Sequence, residues 1–585
     1  MPASTRRRRF AHTDLPRPAE TAAAAPAELR RQASLDHPSV ISPAKTSFKY
    51  SHLPALCACI AKDNPRKSVT ALPGRLRYNR STLGRQARQS SGQVFRTRYQ
   101  ARSMIDFLHE HWPPLLTFLT FALDVGFSCH AILHKRDSHA ALAWVGLIWF
   151  VPLVGPFLYL LLGINRIQRR ARSIRRGVWQ AEDAAAKAAG EFAAADGVAS
   201  GDHTGLGALA RLVRDVTGHP LLAGNSVVPL RRDSAYPAML GAIDGAQRSV
   251  TLTTYIFDND RAGRTFLEAL ARAVARGVAV RVIVDGLGAR YSWPSIVNKL
   301  RRAQIPVAKF LPKILPRALP YANLRNHRKI LVVDGRMGFA GGMNIREGHC
   351  AEAGTANPIE DLHFRLVGPV VAQLQEVFAE DWAFCTDERL EGDRWFPLLQ
   401  PAGPVLARGI PDGPDEDFEK LRLTLLGALA CAQSSVRIVT PYFLPDAGLI
   451  SSLNVAAMRG VEVDILLPEA TNLRLVQWAC RALLWQVLER GCRVWLLPPP
   501  FDHSKLMLVD GQWTLLGSTN WDPRSLRLNF EFNVECYDAS LAQTLEALVR
   551  EKLAAARRLT LAEVDGRSLP VRLRDGAARL VSPYL

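Results

Sequence analysis

Cysteine is scarce, with nine in 585 residues. Cys57 and Cys59 stand two apart, but no second pair or histidine cluster accompanies them, so the spacing of a zinc or redox site is missing. The cysteines read as small core residues in a reducing compartment, and neither a metal nor a cofactor is expected. No apolar run follows the opening Arg6-Arg7-Arg8-Arg9, which argues against a secretory signal. Asp14, Glu20, Glu28 and Asp36 come too soon for an acid-poor transit peptide. The larger part of the chain also lacks a basic excess. The net charge is +20, yet after residue 180 there are 46 Lys and Arg against 45 Asp and Glu. Nucleic-acid backbone binding draws on clustered Lys and Arg, so that class of partner is not expected.

The positive charge lies ahead of that part. Residues 1–110 carry +13 and residues 111–180 carry +6, and basic flanks of this kind are drawn to anionic lipid headgroups. Residues 1–110 are rich in Arg, Ala, Pro and Ser without a hydrophobic period, and read as a disordered basic region. Two apolar runs follow. Residues 115–133 are interrupted by Asp124, which is costly in lipid unless it faces a partner helix. Residues 138–164 hold no Asp, Glu, Lys or Arg, and read as the stronger membrane span despite Pro152 and Pro156. The short link between the runs predicts a transmembrane helical hairpin over 111–165. Arg96, Arg98 and Arg102 precede it, and Arg166, Arg169, Arg170, Arg172, Arg175 and Arg176 follow. By the positive-inside tendency, both ends and the body lie in the cytoplasm.

A basic juxtamembrane segment and linker then spans 166–215, and beyond it the chain repeats itself. Ser249-Val-Thr-Leu-Thr-Thr-Tyr255 is followed by Arg276-Gly277-Val278 and the apolar run 280–284. Ser435-Val-Arg-Ile-Val-Thr-Pro-Tyr442 is followed by Arg459-Gly460-Val461 and the run 463–467. Each copy reads as buried strand, helix and buried strand, with helical periodicity over 265–277 closed by a glycine stop. The expected fold is therefore α/β, with two such domains at 216–390 and 417–585 joined by an irregular connection at 391–416.

Each copy ends in the same spaced set. His327-Arg-Lys329-Ile-Leu-Val-Val-Asp334 precedes Gly341-Gly342-Met-Asn344, and His503-Ser-Lys505-Leu-Met-Leu-Val-Asp510 precedes Gly517-Ser518-Thr-Asn520. His and Lys two apart on a strand share a face. The apolar residues after each Lys carry the strand into the core, and a second strand returns Asn to the same edge. Small Gly or Ser residues there let backbone approach a ligand closely. Lys offers a point charge and Asn an amide donor, a set suited to phosphate oxygens. Two copies face to face would place two His, two Lys and two Asn around one phosphate, enough for phosphoryl transfer without a metal.

This duplicated signature resembles the phospholipase D superfamily over about residues 220–560. The resemblance implies two phospholipase D-like α/β domains in tandem, pairing around one active site. It also implies that one histidine forms a phosphatidyl-histidine intermediate while the other serves as acid and then base, with His327 the candidate nucleophile and His503 the acid/base. Lys329 and Lys505, with Asn344 and Asn520 on the phosphate, complete the set. Asp334 and Asp510 belong to the catalytic motif, in a structural role that holds the loop and the Lys. Relatives orient each histidine through a downstream carboxylate, here Asp361 after His327 and Glu531 after His503.

Within the superfamily the chain most resembles bacterial-type cardiolipin synthases. The hairpin, Tyr255-Ile-Phe257, Pro441-Tyr442-Phe443, Asp361-Leu-His363, Gly368-Pro369 and the block from Trp521 to Glu531 carry that likeness. It implies an inner-membrane, multi-pass enzyme that acts on phosphatidylglycerol, giving cardiolipin and glycerol. The Pro-rich lead-in Leu497-Pro-Pro-Pro-Phe501-Asp502 and Trp521 depart from the pattern and bear on the choice of acceptor. A hydrolase or a transferase with another acceptor would use the same intermediate. A nuclease of the superfamily and an inactive scaffold are the remoter readings. Nothing in the sequence sets the oligomeric state.

Overall fold

A computed structural model describes residues 87–135, 138–163, 181–190, 205–312, 324–350, 355, 357–415 and 417–582. The first 86 residues of the N-terminal region, the Arg-rich exit at 166–176 and most of the linker at 178–205 lie outside the described residues. Both repeats belong to one compact unit, Gln100–Leu585. A helix spans Ala87–His134, so it begins inside the stretch expected to lack order. No Gly or Pro falls between residues 93 and 112, which leaves that helix uninterrupted there.

The two apolar runs exchange the ranking expected of them. The segment His111–His134 is a single helix, long and apolar enough to cross a bilayer by length and composition. The second run is broken into helix Ser138–Phe150, a turn, helix Val154–Leu158 and a π turn at Tyr159–Gly163. Pro152 has no N–H to donate and disfavours helical geometry at Val151, while Leu153 takes a φ of 65°. Asp124 is buried on one stripe with Ser128 and Ala131. That stripe packs on the second run: Trp149 Nε1 donates to Ser128 Oγ at 3.1 Å, and His130 Nδ1 lies 2.9 Å from the Tyr159 hydroxyl.

Eighteen strands form the rest of the frame among the described residues. The first nine are β1 (Leu222–Leu230), β2 (Ser249–Thr254), β3 (Ala279–Asp285), β4 (Val307–Phe310), β5 (Arg325–Asn326), β6 (Ile330–Val333), β7 (Met337–Gly341), β8 (Ile359–Glu360) and β9 (His363–Val367). The second nine are β10 (Val405–Asp412), β11 (Ser435–Val439), β12 (Glu462–Pro468), β13 (Arg493–Leu497), β14 (Phe501–Asp502), β15 (Leu506–Val509), β16 (Trp513–Gly517), β17 (Asn529–Tyr537) and β18 (Arg557–Leu559). One mixed sheet runs in the order β18-β13-β12-β11-β15-β16-β17-β10-β1-β9-β7-β6-β2-β3-β4. Outward from the antiparallel β1/β10 pair, the two repeats follow the same sequence of neighbours.

The stretch expected as an irregular connection thus contains β10, which pairs with both β1 and β17 and makes the sheet continuous. Arg408, Gly409, Pro411 and Asp412 interrupt its apolar pattern, which hides the strand from a periodicity reading.

Strand alternation divides the core. Ile330 and Val332 of β6, with Leu506 and Leu508 of β15, join the cluster that holds Val377 and Phe378 of helix Val371–Thr386. Their neighbours Leu331 and Val333 face the helices Arg232–Gly245 and Arg261–Ala275. Met507 and Val509 face Lys420–Cys431 and Ala447–Met458 in the same way. Equivalent helices begin and end alike. Asp260 and Asp446 accept N-terminal backbone N–H groups, and Gly277 and Gly460 follow the last turns at positive φ.

Candidate active site

Two short parallel pairings build the site from opposite repeats. β5 pairs with the start of β17, and the His327 N–H donates to the Phe530 carbonyl at 2.8 Å. β14 pairs with β8, and the His503 N–H donates to the Glu360 carbonyl at 2.7 Å. His327 is therefore fixed by the strand that carries Glu531, and His503 by the strand that ends one residue before Asp361.

The carboxylates correct the expected pairing. Glu531 lies 2.9 Å from His327 Nδ1, and Asp361 lies 2.8 Å from His503 Nδ1. Each acid is downstream of one histidine in sequence but contacts the histidine of the other repeat. Their surroundings differ. Glu531 also accepts from the Ser518 hydroxyl at 2.5 Å and from Asn529 Nδ2 at 3.1 Å. Asp361 accepts the Leu362 N–H at 2.8 Å and touches Gly342, where a Cβ would lie 2.2 Å from its Oδ1.

His327 and His503 line one cavity of about 430 Å³, with Asn344, Asn520, Tyr255, Tyr442, Arg325, Arg346 and Arg524 among its walls. The Tyr255 and Tyr442 rings stand edge-on to the His327 and His503 rings respectively. Asn344 Oδ1 accepts the Ile256 N–H at 3.2 Å. Asn520 Nδ2 donates to Ser525 Oγ at 3.2 Å. Lys329 and Lys505 are buried behind the cavity wall, and each donates to the carbonyl of its own histidine.

Electrostatics follow from that burial. Desolvation outweighs Glu531 and holds the His327 imidazole down to about 4. Burial, Lys505 and Lys329 hold His503 well below its usual value. Burial thus favours the neutral form of both rings, and an Nδ1–H directed to the carboxylate leaves Nε2 as the basic nitrogen. Burial lowers Lys329 to about 7 and Lys505 to about 8. It raises Asp361 to about 6. Burial also opposes ionisation of Glu531, but His327, Lys329 and Ser518 together keep its carboxyl below the ordinary range.

Residues 239–382 and 425–553 match the family described as cardiolipin synthase, PLD-like domain, and residues 122–163 match a phospholipase D-nuclease N-terminal family. The chain is 30% identical to the major cardiolipin synthase of Bacillus subtilis, over 80% of this chain and 99% of that one. It is 31% identical to cardiolipin synthase A of Pseudomonas putida, over 82% of this chain and all of the other. The chain belongs to the cardiolipin synthase family of phospholipase D-like proteins. A phosphatidylserine synthase of Haemophilus influenzae shares its fold, with a TM-score of 0.50 at 16% identity, over 65% of this chain and all of that one.

Besides the two lysines, two aspartates of the motif in this cardiolipin synthase family member do not line the cavity. Asp334 and Asp510, counted with the catalytic motif from sequence, both sit at positive φ in the turns after β6 and β15. Asp334 accepts the N–H groups of Gln247, Arg248 and Ser249. Asp510 accepts those of Gln433, Ser434 and Ser435. These bonds tie each turn to the loop that leads into β2 or β11. The expected hold on the Lys is not found, because each Lys bonds its histidine's carbonyl instead.

Other wall residues escape a sequence reading. Arg325 lies two before His327, where strand alternation could flag it. Arg346 and His349 follow Asn344 without a motif. His349 is buried, pushed down to about 3 by desolvation, and its Nδ1 has no hydrogen-bond partner among the described residues. Ligand atoms of His349, Asp361 and His503 lie within 4.8 Å of one another, the spacing of a cation site. Asp361, however, is engaged by His503 and faces the Lys505 charge, which disfavours a divalent ion there.

Proposed function

We propose that this chain is a membrane-anchored phosphatidyl transferase that joins two phosphatidylglycerol molecules, giving cardiolipin and glycerol. The observation that carries the reading is the crossed pair of histidine–carboxylate contacts on one cavity, in a chain that covers cardiolipin synthases nearly end to end. The two repeats, taken as 216–390 and 417–585, pair around that single active site.

In this mechanism His327 Nε2 attacks phosphorus and the bond to the departing glycerol oxygen breaks. His503, as imidazolium, gives that oxygen its proton. The incoming phosphodiester anion offsets Lys329 and Lys505, which favours the charged form of His503. The hydroxyl of a second phosphatidylglycerol then loses its proton to His503 and attacks phosphorus, and the P–N bond breaks to free His327. Glu531 suits the nucleophile's side, since its three side-chain partners keep it ionised beside the ring that becomes cationic. Lys329 and Lys505 supply positive potential behind the wall, and Asn344 and Asn520 meet the phosphate oxygens.

The apolar segments over 111–165 act as a membrane hairpin. The inner membrane of a bacterium is the matching location, with the body on the cytoplasmic side by the basic flanks. Asp124 is compatible with that role because it is buried on the same stripe as Ser128, which bonds Trp149 of the second run. The test is a product assay on the reconstituted protein with labelled phosphatidylglycerol, beside His327→Ala and His503→Ala. Cardiolipin and free glycerol, lost in both variants, support the reading. Phosphatidic acid as the sole product assigns a hydrolase instead.

A further inference from the structure

Each repeat contributes an exposed apolar side chain to the cavity lining, with a second exposed apolar residue two positions further on. Tyr291 lines the cavity and is 56% exposed, and two residues on Trp293 is 97% exposed. Leu473 of the other repeat also lines the cavity and is 47% exposed, and two residues on Leu475 is 50% exposed. Exposed Arg290 and Arg474 stand beside them in sequence. Single exposed apolar residues are ordinary, but an almost fully exposed Trp is not, and here Trp293 and Leu475 each follow by two residues an exposed apolar residue of the cavity lining.

We propose that this rim is a second membrane contact, docking the cavity mouth onto a bilayer rich in anionic headgroups. Size argues for the occupant. About 430 Å³ accommodates lipid headgroups but not the acyl chains of two diacyl lipids, so the chains stay in the bilayer while the headgroups enter. The mouth must then touch the lipid surface. Trp and Tyr favour the headgroup level, Leu473 and Leu475 reach the acyl boundary, and the two arginines match anionic lipid. The inference rests on the phosphatidyl-transfer reading only for the lipid that is drawn in. The membrane hairpin tethers the body, whereas the rim orients it.

The test uses the full chain in proteoliposomes containing phosphatidylglycerol, and short-chain monomeric phosphatidylglycerol in detergent-free buffer. Trp293→Ser with Leu475→Ser is expected to lower turnover of bilayer substrate about tenfold, while monomeric substrate is used as well as by the unaltered protein. Equal turnover of bilayer substrate, or an equal loss on both substrates, overturns the proposal. A second measurement needs no activity. Tryptophan quenching by brominated lipids, compared between the unaltered protein and Trp293→Phe, isolates this side chain. A quenched Trp293 component supports docking, and its absence overturns it. If the unaltered protein turns over neither substrate, the transferase reading fails while the quenching result still decides the docking.

Discussion

His327 and Glu531 stand 204 positions apart in different repeats, yet Nδ1 of the first lies 2.9 Å from the carboxylate of the second. His503 and Asp361 mirror them at 2.8 Å across 142 positions. Neither repeat therefore contains a complete histidine–carboxylate unit of its own. The duplication looks self-sufficient in sequence, but the histidine–carboxylate contacts are divided between the copies, and the sheet is continuous through β1 and β10.

Glu531→Gln tests the division most directly. An amide can present N–H to His327 Nδ1 and so favour the wrong tautomer, with Nε2 no longer basic. Turnover should fall about a thousandfold or more, with the fold unchanged by circular dichroism. Groups that act as one unit lose activity once. His327→Ala should therefore be no more active than the His327→Ala/Glu531→Gln double variant, within about twofold. A further large loss in the double variant would separate the two residues.

The dependence on pH follows from burial. If Asp361 must be ionised to hold His503, activity falls as pH drops through about 6. If Lys329 must be charged to favour the phosphate, activity falls as pH rises through about 7. The kcat/KM profile should be a narrow bell between those limits. Lys329→Arg carries a group that does not titrate in this range, so the alkaline limb should move up toward the Lys505 value of about 8. An alkaline limb unchanged in that variant removes Lys329 from the assignment.

How far the sequence reaches is clear from particular residues. Identical spacing in two copies exposes both histidines, both lysines and both asparagines, although the strand geometry expected of them is not found: all six lie just outside the strands, in the links that precede β6 and β15 or follow β7 and β16. Asp361 and Glu531 are legible as residues but attach to the opposite histidines from those the sequence suggests. Linear distance favours a partner within the same copy, while β5/β17 and β8/β14 are pairings between copies. Strand β10 stays hidden because Gly409 and Pro411 sit where a central strand seldom carries them. The broken second apolar run shows the converse. Composition alone makes residues 138–164 the stronger span, but Pro152 and Leu153 turn the backbone there.

Asp334 and Asp510 should prove structural. Each carboxylate gathers three backbone N–H groups in a turn with positive φ, a conformation that Asn also tolerates. Asp334→Asn retains the turn but weakens the charge-assisted bonds, at a cost of about 1–2 kcal/mol. A thermal melt should shift down by a few degrees, while kcat at low temperature stays within about threefold of the unaltered protein. A hundredfold loss of kcat without a melting shift would return Asp334 to the reacting set.

Gly342 and Ser518 occupy the same place in the two motifs, yet they should not be interchangeable. Ser518 donates to Glu531 at 2.5 Å, so Ser518→Ala removes one of the bonds that keep that carboxylate ionised. A hydrogen bond to a charged group is worth about 1.5–3 kcal/mol, which corresponds to a loss of activity of about tenfold to a hundredfold. Gly342 has no such room. A Cβ there meets Asp361 Oδ1 at 2.2 Å and Oδ2 at 2.7 Å, so any side chain pushes the carboxylate from His503. Gly342→Ser, which makes the two motifs identical at this position, should therefore cost more than Ser518→Ala rather than restore a symmetric site. Kinetics of both variants, with a thermal melt to confirm folding, decide the point. Near-normal turnover in Gly342→Ser would mean that Asp361 can shift and still orient His503, and the close packing would then carry no catalytic weight.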